Sequence, residues 1–294
     1  MASEDPTAKI MQSVARALSA GRSKEAVHQF VQALSHDTTL KRVDLPPLLA
    51  QTLGKSKLDA LIQAFAKHPC MVCRRGLLIC DDCEGRGYFR DGRICDACLG
   101  LGTTNCDFCA GSGWITYKYV PAGLQEMVLL ARSKLALAEA RALLAAPLPG
   151  GGKTGGEANR KTLAQRLLQA NRLMGAFDNA VGIARSLAEA GAGSATTFEN
   201  VESACSSAAS RLVRRIRKLL QLLSENAKVQ AAQEKSPRQR RLNERRTQTY
   251  ASLAKSTDFK GTSLFHVYLR ELQSSEASPE PSTQPGPRGS ESSN

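Results

Sequence analysis

Aromatic side chains and long apolar runs are both scarce in this chain of 294 residues. Phe, Tyr and Trp make up 5% of the sequence, while alanine and leucine dominate the 42% that is hydrophobic. Because Ala, Leu, Gln, Lys, Arg and Glu lose little conformational freedom in a helix, this composition favours packed helices over sheet. No apolar run approaches the ~20 residues that a membrane-spanning helix needs, so we expect no membrane span.

A secretory signal is not recognisable either. The first residues, MASEDPTAKIMQ, are acidic and lack the basic and apolar regions of a signal peptide. We therefore expect an intracellular protein, most simply a cytoplasmic one. In a reducing compartment, paired cysteines serve as metal ligands more often than they form disulfides.

Catalytic motifs are the third absence. The sequence contains no recognisable Ser/His/Asp set, no His-Glu-x-x-His and no nucleotide-binding fingerprint. Gly152-Lys153-Thr154 resembles the end of a phosphate-binding loop, but that pattern requires glycine where Pro147 stands. We therefore expect a protein that is not an enzyme.

Cysteine, by contrast, is concentrated in one segment. Eight of the nine cysteines form four Cys-x-x-Cys pairs between Cys70 and Cys109, and the last three pairs continue as x-Gly-x-Gly. Each pair supplies two thiolates from one tight turn, so two pairs complete a tetrahedral zinc site. The glycines allow backbone angles that side chains resist. Eight ligands imply two zinc ions per chain, in all-thiolate sites of the kind that is usually structural.

The residues between the second and third pairs predict which pairs share a metal. Tyr88 to Ile94 has the pattern of a β-hairpin with Asp91-Gly92 at its turn, which would bring pair two against pair three. Pairs one and four can then meet at the base. We assign zinc A to Cys80, Cys83, Cys95 and Cys98, and zinc B to Cys70, Cys73, Cys106 and Cys109. Sequential pairing, one with two and three with four, is the alternative.

At these repeats the chain resembles the cysteine-rich domain of DnaJ-type chaperones, which is built from four Cys-x-x-Cys-x-Gly-x-Gly repeats. The resemblance covers residues 70–113 only, and it implies two zinc sites with the same pairing and a role in binding unfolded polypeptide. The first repeat departs from the pattern, because Arg75 and Leu77 stand where the family has glycine. That departure predicts a looser or differently oriented turn at zinc B. The family's J domain and its substrate-binding β-domains have no counterpart in the sequence, so stimulation of an Hsp70 ATPase is not expected.

Two surfaces are candidates for binding a macromolecule. An aromatic group near the cysteines could bind polypeptide clients or a protein complex, although packing within a small domain explains it equally well. A second candidate is the basic stretch 211–246, with twelve Lys or Arg against three Glu, a net charge of +9 in a chain of +13. It could bind RNA or DNA phosphates without base readout, or be a solvated helix face. The aromatic candidates are Tyr88, Phe89, Phe108 and Trp114, and the basic ones are Arg211, Arg214, Arg215, Arg217 and Lys218.

The sequence as a whole predicts a mainly α protein, in which a helical scaffold carries a small two-zinc β-hairpin insert and a disordered C-terminal tail. The function it favours is non-enzymatic binding of other proteins, in the manner of a chaperone or assembly factor. The alternatives are RNA binding with the zinc module as scaffold, and thiol–disulfide oxidoreduction.

The sequence also predicts how the chain is divided. The predicted parts are an N-terminal helical region (1–68), the zinc domain (69–114), a long helix (115–147), a Gly-rich linker (148–157), a helical region with a basic helix (158–235), a basic segment with a short C-terminal element (236–272) and the tail (273–294).

Overall fold

The computed structural model describes residues 6–36, 45–95, 97–98, 100–148 and 157–255. These ranges are mainly α-helical, as predicted, and contain eight α-helices and one antiparallel pair of short strands. In chain order the elements are α1 (Pro6–Ser19), α2 (Ser23–His36), α3 (Leu45–Leu53), α4 (Lys55–Lys67), β1 (Leu77–Ile79), β2 (Thr103–Asn105), α5 (Gln125–Ala145), α6 (Glu157–Glu189), α7 (Ala195–Gln233) and α8 (Pro237–Lys255). Within these ranges, every helix is too short or too polar to cross a membrane.

The N-terminal region, predicted to be helical, contains four described helices. Helices α3 and α4 are separated at Gly54. The φ of +80° at Gly54 is incompatible with a continuing helix, so α4 begins at the next residue. The core of this region contains Phe30 and Phe65, two fully buried rings in an edge-to-face contact with centroids 6.0 Å apart.

Three long helices follow the cysteine-rich insert. Two short turns of 3₁₀ helix, Tyr117–Tyr119 and Ala122–Leu124, lead into α5, so the helix begins well inside the predicted range 115–147. Helices α6 and α7 lie antiparallel, with Arg185 paired to Glu202 across them. An apolar stripe of α7 is buried in the core, at Leu212, Ile216, Leu219 and Leu223.

The basic stretch 211–246 spans two helices, and the break between them lies where the predicted helical region (158–235) is followed by the predicted basic segment (236–272). Helix α7 ends at Gln233, and α8 begins at Pro237 after three residues. Proline suits the first turn of a helix because the amide it lacks has no partner there, so a residue that ends one helix can also begin the next. Helix α8 runs back along α7, where the Ser224 hydroxyl donates to the Thr247 carbonyl at 2.9 Å. Residues 149–156 of the predicted linker, residues 256–272 and the predicted tail lie outside the described residues.

The cysteine-rich insert, residues 69–114, leaves the helical scaffold after α4 and returns before α5. Its two ends are held together, since the Cys70 amide donates to the Gly113 carbonyl and the Ile115 amide to the His68 carbonyl, both at 2.9 Å. Strands β1 and β2 pair antiparallel above this base, with Leu78 opposite Thr104. The predicted hairpin at Tyr88 to Ile94 forms as a turn with a single β-bridge.

Candidate metal centre

The eight paired cysteines gather into two clusters of four. One contains Cys80, Cys83, Cys95 and Cys98, and the other contains Cys70, Cys73, Cys106 and Cys109. Within each cluster, all four sulfur atoms lie within 4.8 Å of one another. The nested pairing is therefore confirmed, and the sequential alternative is wrong.

The distances between sulfur atoms match a tetrahedral zinc site. Four thiolates at about 2.3 Å from a zinc ion would place their sulfur atoms about 3.8 Å apart. The Cys80 and Cys95 sulfurs are 3.7 Å apart, those of Cys83 and Cys98 are 3.6 Å apart, and those of Cys73 and Cys109 are 3.6 Å apart. A disulfide would require about 2.05 Å. The two clusters thus have the donor set and the spacing for two zinc ions, one at each site.

Backbone amides point at the second sulfur of every pair. In pairs two to four the donor is the glycine four residues after that cysteine, for example Gly87 to Cys83 at 3.1 Å and Gly113 to Cys109 at 3.3 Å. Such bonds stabilise the thiolate form that metal binding requires. The third contact of this kind is Gly102 to Cys98, at 3.2 Å.

The two turns of each site pack backbone against backbone. A Cβ atom on Gly87 would lie 2.4 Å from the Gly100 carbonyl oxygen, and one on Gly102 would lie 2.3 Å from that of Gly85. The Cys80 amide donates to the Gly102 carbonyl and the Cys95 amide to the Gly87 carbonyl, both at 3.0 Å. The repeated glycines are therefore required twice, for their positive φ and for this close approach.

The first repeat reaches the same arrangement with a turn one residue shorter. Gly76, only three residues after Cys73, donates its amide to the Cys73 sulfur at 3.2 Å. Its carbonyl accepts from the Cys106 amide at 2.9 Å, the contact that the last glycine makes in the other repeats. Arg75 has a φ of +56°, a left-handed conformation that costs a non-glycine residue about 1 kcal/mol or more. The first repeat therefore differs from the others by a shortened turn, which the sequence does not predict, and it keeps both of its ligands.

Burial and hydrogen bonding act in opposite directions on the thiols. Burial raises the pKa of Cys95 and of Cys109 to about 11. At Cys70 and Cys83 burial has the same sign, but hydrogen bonds from backbone amides and neighbouring thiols outweigh it and lower the pKa. Four thiolates cannot share so small a volume without a compensating cation. A zinc ion supplies that charge, and its binding would release protons.

The four candidate aromatics do not form one surface. Tyr88 lies against the guanidinium of Arg246 on α8, 5.7 Å from ring centroid to carbon. Phe89 packs on the zinc A cysteines. Phe108 packs on the zinc B cysteines and stacks on Tyr119, with centroids 6.1 Å apart.

Trp114 belongs to the base of the insert. It forms a β-bridge with Pro69 and packs against the main helical core. The buried Arg132 of α5 lies over its ring at 5.9 Å and over the Tyr117 ring at 4.6 Å, and donates to the Phe65 carbonyl of α4 at 3.1 Å. These contacts connect the insert to α4 and α5.

Three exposed apolar residues in the insert are absent from the sequence-based candidates. Met71 is 64% exposed, Val72 54% and Ile79 70%, and they are the large hydrophobic residues that the described part of the chain leaves in water. The sequence carries a signal for two of them. The first residue inside each of the other three pairs is aspartate, whereas the first pair encloses Met71-Val72.

Four of the five basic candidates line one open groove between α5 and α7. The Arg215 guanidinium donates to the carbonyls of Leu143 and Ala146 at the C-terminal end of α5, at 3.2 Å to Leu143. Arg217 lies on another face of α7, outside the groove lining. The groove is lined by Leu144, Leu148, Arg211, Arg214, Arg215 and Lys218.

Comparison with known proteins identifies no relative: no family model matches the chain, and no curated protein or solved structure is significantly similar to it. The likeness to DnaJ-type domains therefore rests on the repeats themselves. What the geometry establishes is a pair of four-cysteine clusters suited to zinc, in a small insert on a helical scaffold.

Proposed function

We propose that this chain is a non-enzymatic zinc protein that binds other proteins, as a chaperone or assembly factor does, through the outer face of its cysteine-rich insert. The observation that carries the proposal is the exposure of Met71, Val72 and Ile79. All three lie in the cysteine-rich insert, which two zinc ions would hold rigid. Met71 and Val72 are neighbours in the chain, and exposed apolar side chains that adjoin one another mark contact sites.

The DnaJ-type character of the repeats supports the same proposal. The repeat pattern implies binding of unfolded polypeptide, and apolar side chains beside a zinc site are suited to the apolar segments that such a polypeptide exposes. The zinc ions would act as structural ions, because eight thiolates leave no coordination position for water. We expect the protein to act in a reducing, intracellular setting, where these thiols remain available to metal.

The test replaces the exposed residues Met71 and Val72, and its control replaces the residues at the same positions of the second repeat. We expect Met71→Ser/Val72→Ser to weaken binding of the full chain to a reduced, carboxymethylated model protein by roughly tenfold or more. The reason is that each apolar side chain buried in a complex contributes on the order of 1–2 kcal/mol. The measurement is fluorescence anisotropy of the labelled model protein.

The matched control is Asp81→Ser/Asp82→Ser, which changes the same two positions of another Cys-x-x-Cys turn. It should leave both binding and zinc content unchanged. Equal loss of affinity in the two variants, or no binding by the unmodified chain, would contradict the proposal.

RNA binding is a second candidate function, supported by one specific observation. Arg211, Arg214 and Lys218 are exposed and follow one another along a single row of α7. If this row binds phosphates, Arg214→Gln/Lys218→Gln should weaken binding to unrelated RNA sequences equally. The dependence of log K on log salt should become shallower by roughly 0.7–0.9 for each lost contact.

Thiol–disulfide exchange is the least supported of the three functions. An exchange catalyst needs an accessible thiolate with a lowered pKa. Cys73 is the one half-buried cysteine of the eight, and burial raises its pKa. The two thiols with lowered pKa values, Cys70 and Cys83, are buried.

A further inference from the structure

A groove of about 440 Å³ between the C-terminal end of α5 and the middle of α7 combines positive charge with an apolar floor. Its lining consists of four cations and two half-buried leucines, Leu144 and Leu148. Within the described part of the chain, this lining includes neither an acidic nor an aromatic side chain. Cations concentrated in this way attract a negatively charged occupant.

The charges of the groove are not neutralised by the folded scaffold. Among the described residues, Arg211, Arg214 and Lys218 make no ion pair with a carboxylate. Arg215 is directed at backbone carbonyls of α5. The groove therefore retains unpaired charge for an occupant.

The chemistry of the lining favours an acidic peptide segment over a nucleic acid. Single-stranded nucleic acids obtain much of their affinity from bases stacked on aromatic rings, which this lining lacks in the described residues. A phosphodiester backbone also has no apolar group to place on Leu144 and Leu148. A peptide that carries both glutamate and leucine side chains can use both features of the groove.

Residues 263–280 of the same chain, SLFHVYLRELQSSEASPE, have this combination. The segment contains three glutamates and six large apolar residues. Residues 256–294 together contain five Asp or Glu against three Lys or Arg, a net charge of −2 in a chain of +13. The part of the chain beyond α8 is thus opposite in charge to the groove.

The described chain ends at the level of the groove. Ser224 of α7 and Thr247 of α8 are hydrogen-bonded between antiparallel helices. Lys255 lies eight residues after Thr247 in α8, and Ile216 lies eight residues before Ser224 in α7, about 12 Å along each helix. Because the helices are antiparallel, Lys255 is level with Ile216, between Arg215 and Arg217. The eight residues from Lys255 to Ser263 can span up to ~28 Å when extended, whereas the row from Arg211 to Lys218 is about 10 Å long. The segment can therefore reach the groove.

We propose that residues 263–280 bind in this groove, with their glutamates on Arg211, Arg214 and Lys218 and their leucines on Leu144 and Leu148. Residues 263–280 then cover the exposed cations Arg211, Arg214 and Lys218. An external polyanion must displace this segment before the polyanion can bind in the groove. The groove becomes a site that the chain itself occupies.

The test measures hydrogen exchange of residues 263–280 in the full chain. We expect their amides to exchange roughly tenfold or more slowly than in a synthetic peptide of the same sequence, with the difference shrinking at high salt. Arg214→Glu/Lys218→Glu should restore the rapid exchange. Combining it with Glu276→Lys/Glu280→Lys should return the protection, because the charges are exchanged across the same contact. A zero-length carbodiimide should join Lys218 to a glutamate of the segment within one chain.

The matched control is Lys134→Glu/Lys228→Glu, which makes the same change in net charge at exposed sites of α5 and α7 outside the groove. It should leave the protection intact. Equal loss of protection in both variants, rapid exchange in the unmodified chain, or cross-links only between two chains would overturn the proposal. So would RNA binding that the groove variant abolishes in a chain whose segment 263–280 exchanges rapidly.

Discussion

Gly87 and Gly92, which lie near the zinc A cysteines, share a backbone conformation and differ in what surrounds them. The φ angle is +79° at Gly87 and +82° at Gly92. A Cβ on Gly87 would lie 2.4 Å from the Gly100 carbonyl oxygen, whereas one on Gly92 would meet nothing within 4 Å. Comparison of the two alanine variants therefore separates the cost of the left-handed conformation from the cost of forcing the two cysteine turns apart.

We expect Gly92→Ala to lower the free energy of unfolding by about 1–2 kcal/mol, through conformation alone. Gly87→Ala should incur the same cost and also separate the turn of Cys83 from that of Cys95, so zinc at site A should bind roughly tenfold or more weakly. The measurement is competition with a chromophoric chelator, in which one of two zinc ions should become easier to remove. Equal zinc affinity in the two variants would show that the backbone contact at Gly87 does not support the metal site.

Helix α6 packs against the part of the insert that contains the zinc B cysteines Cys106 and Cys109. The Asn171 side-chain amide donates to the Asn105 side-chain oxygen at 3.0 Å, and both residues are buried. One turn further on, Gly175 packs so closely on the Cys106–Cys109 turn that a Cβ there would lie 2.4 Å from the Ala110 carbonyl oxygen. Gly182, two turns beyond, faces open space on the same helix.

The same substitution should have opposite effects at these two glycines. Gly182→Ala should raise the free energy of unfolding by about 1 kcal/mol, since alanine is the better helix former. Gly175→Ala should lower it by roughly 1–3 kcal/mol, because α6 and the insert must move apart and the Asn171 to Asn105 bond is strained. Chemical denaturation followed by far-UV circular dichroism measures both. A higher free energy of unfolding for Gly175→Ala would mean that the insert does not pack closely against α6.

The sequence predicts elements well where a local pattern determines them. The Cys-x-x-Cys spacing and the Asp91-Gly92 turn are sufficient to assign both metal sites. Strands β1 and β2 were not predicted, because three residues between cysteine turns carry no recognisable period. The support that α6 and α8 give to the insert was also missed, since contacts such as Asn171 to Asn105 join residues far apart in the chain.

At the scale of the whole molecule, the zinc insert is packed into the helical scaffold on several sides. Arg132 of α5 connects Trp114 to α4, and Asn171 of α6 holds Asn105. On the zinc A side, Arg238 of α8 donates to the Arg90 carbonyl at 2.6 Å. Because metal binding and folding are coupled in such small modules, loss of zinc should also remove support from α5, α6 and α8.

Two double variants test this coupling together with the nested arrangement of the ligands. Cys83→Ser/Cys95→Ser changes two ligands of zinc A and none of zinc B, so the full chain should retain about one zinc ion. Cys73→Ser/Cys83→Ser changes one ligand of each site, so it should lose both ions or bind them far more weakly.

Zinc per chain is measured by mass spectrometry of the metal, and the melting temperature of the helices by far-UV circular dichroism. We expect the melting temperature to fall in both variants, and further in the second, because the contacts at Asn105 also depend on zinc B. Equal zinc content in the two variants would contradict the nested sites, and an unchanged melting temperature after complete loss of zinc would show that the insert folds independently of the helices.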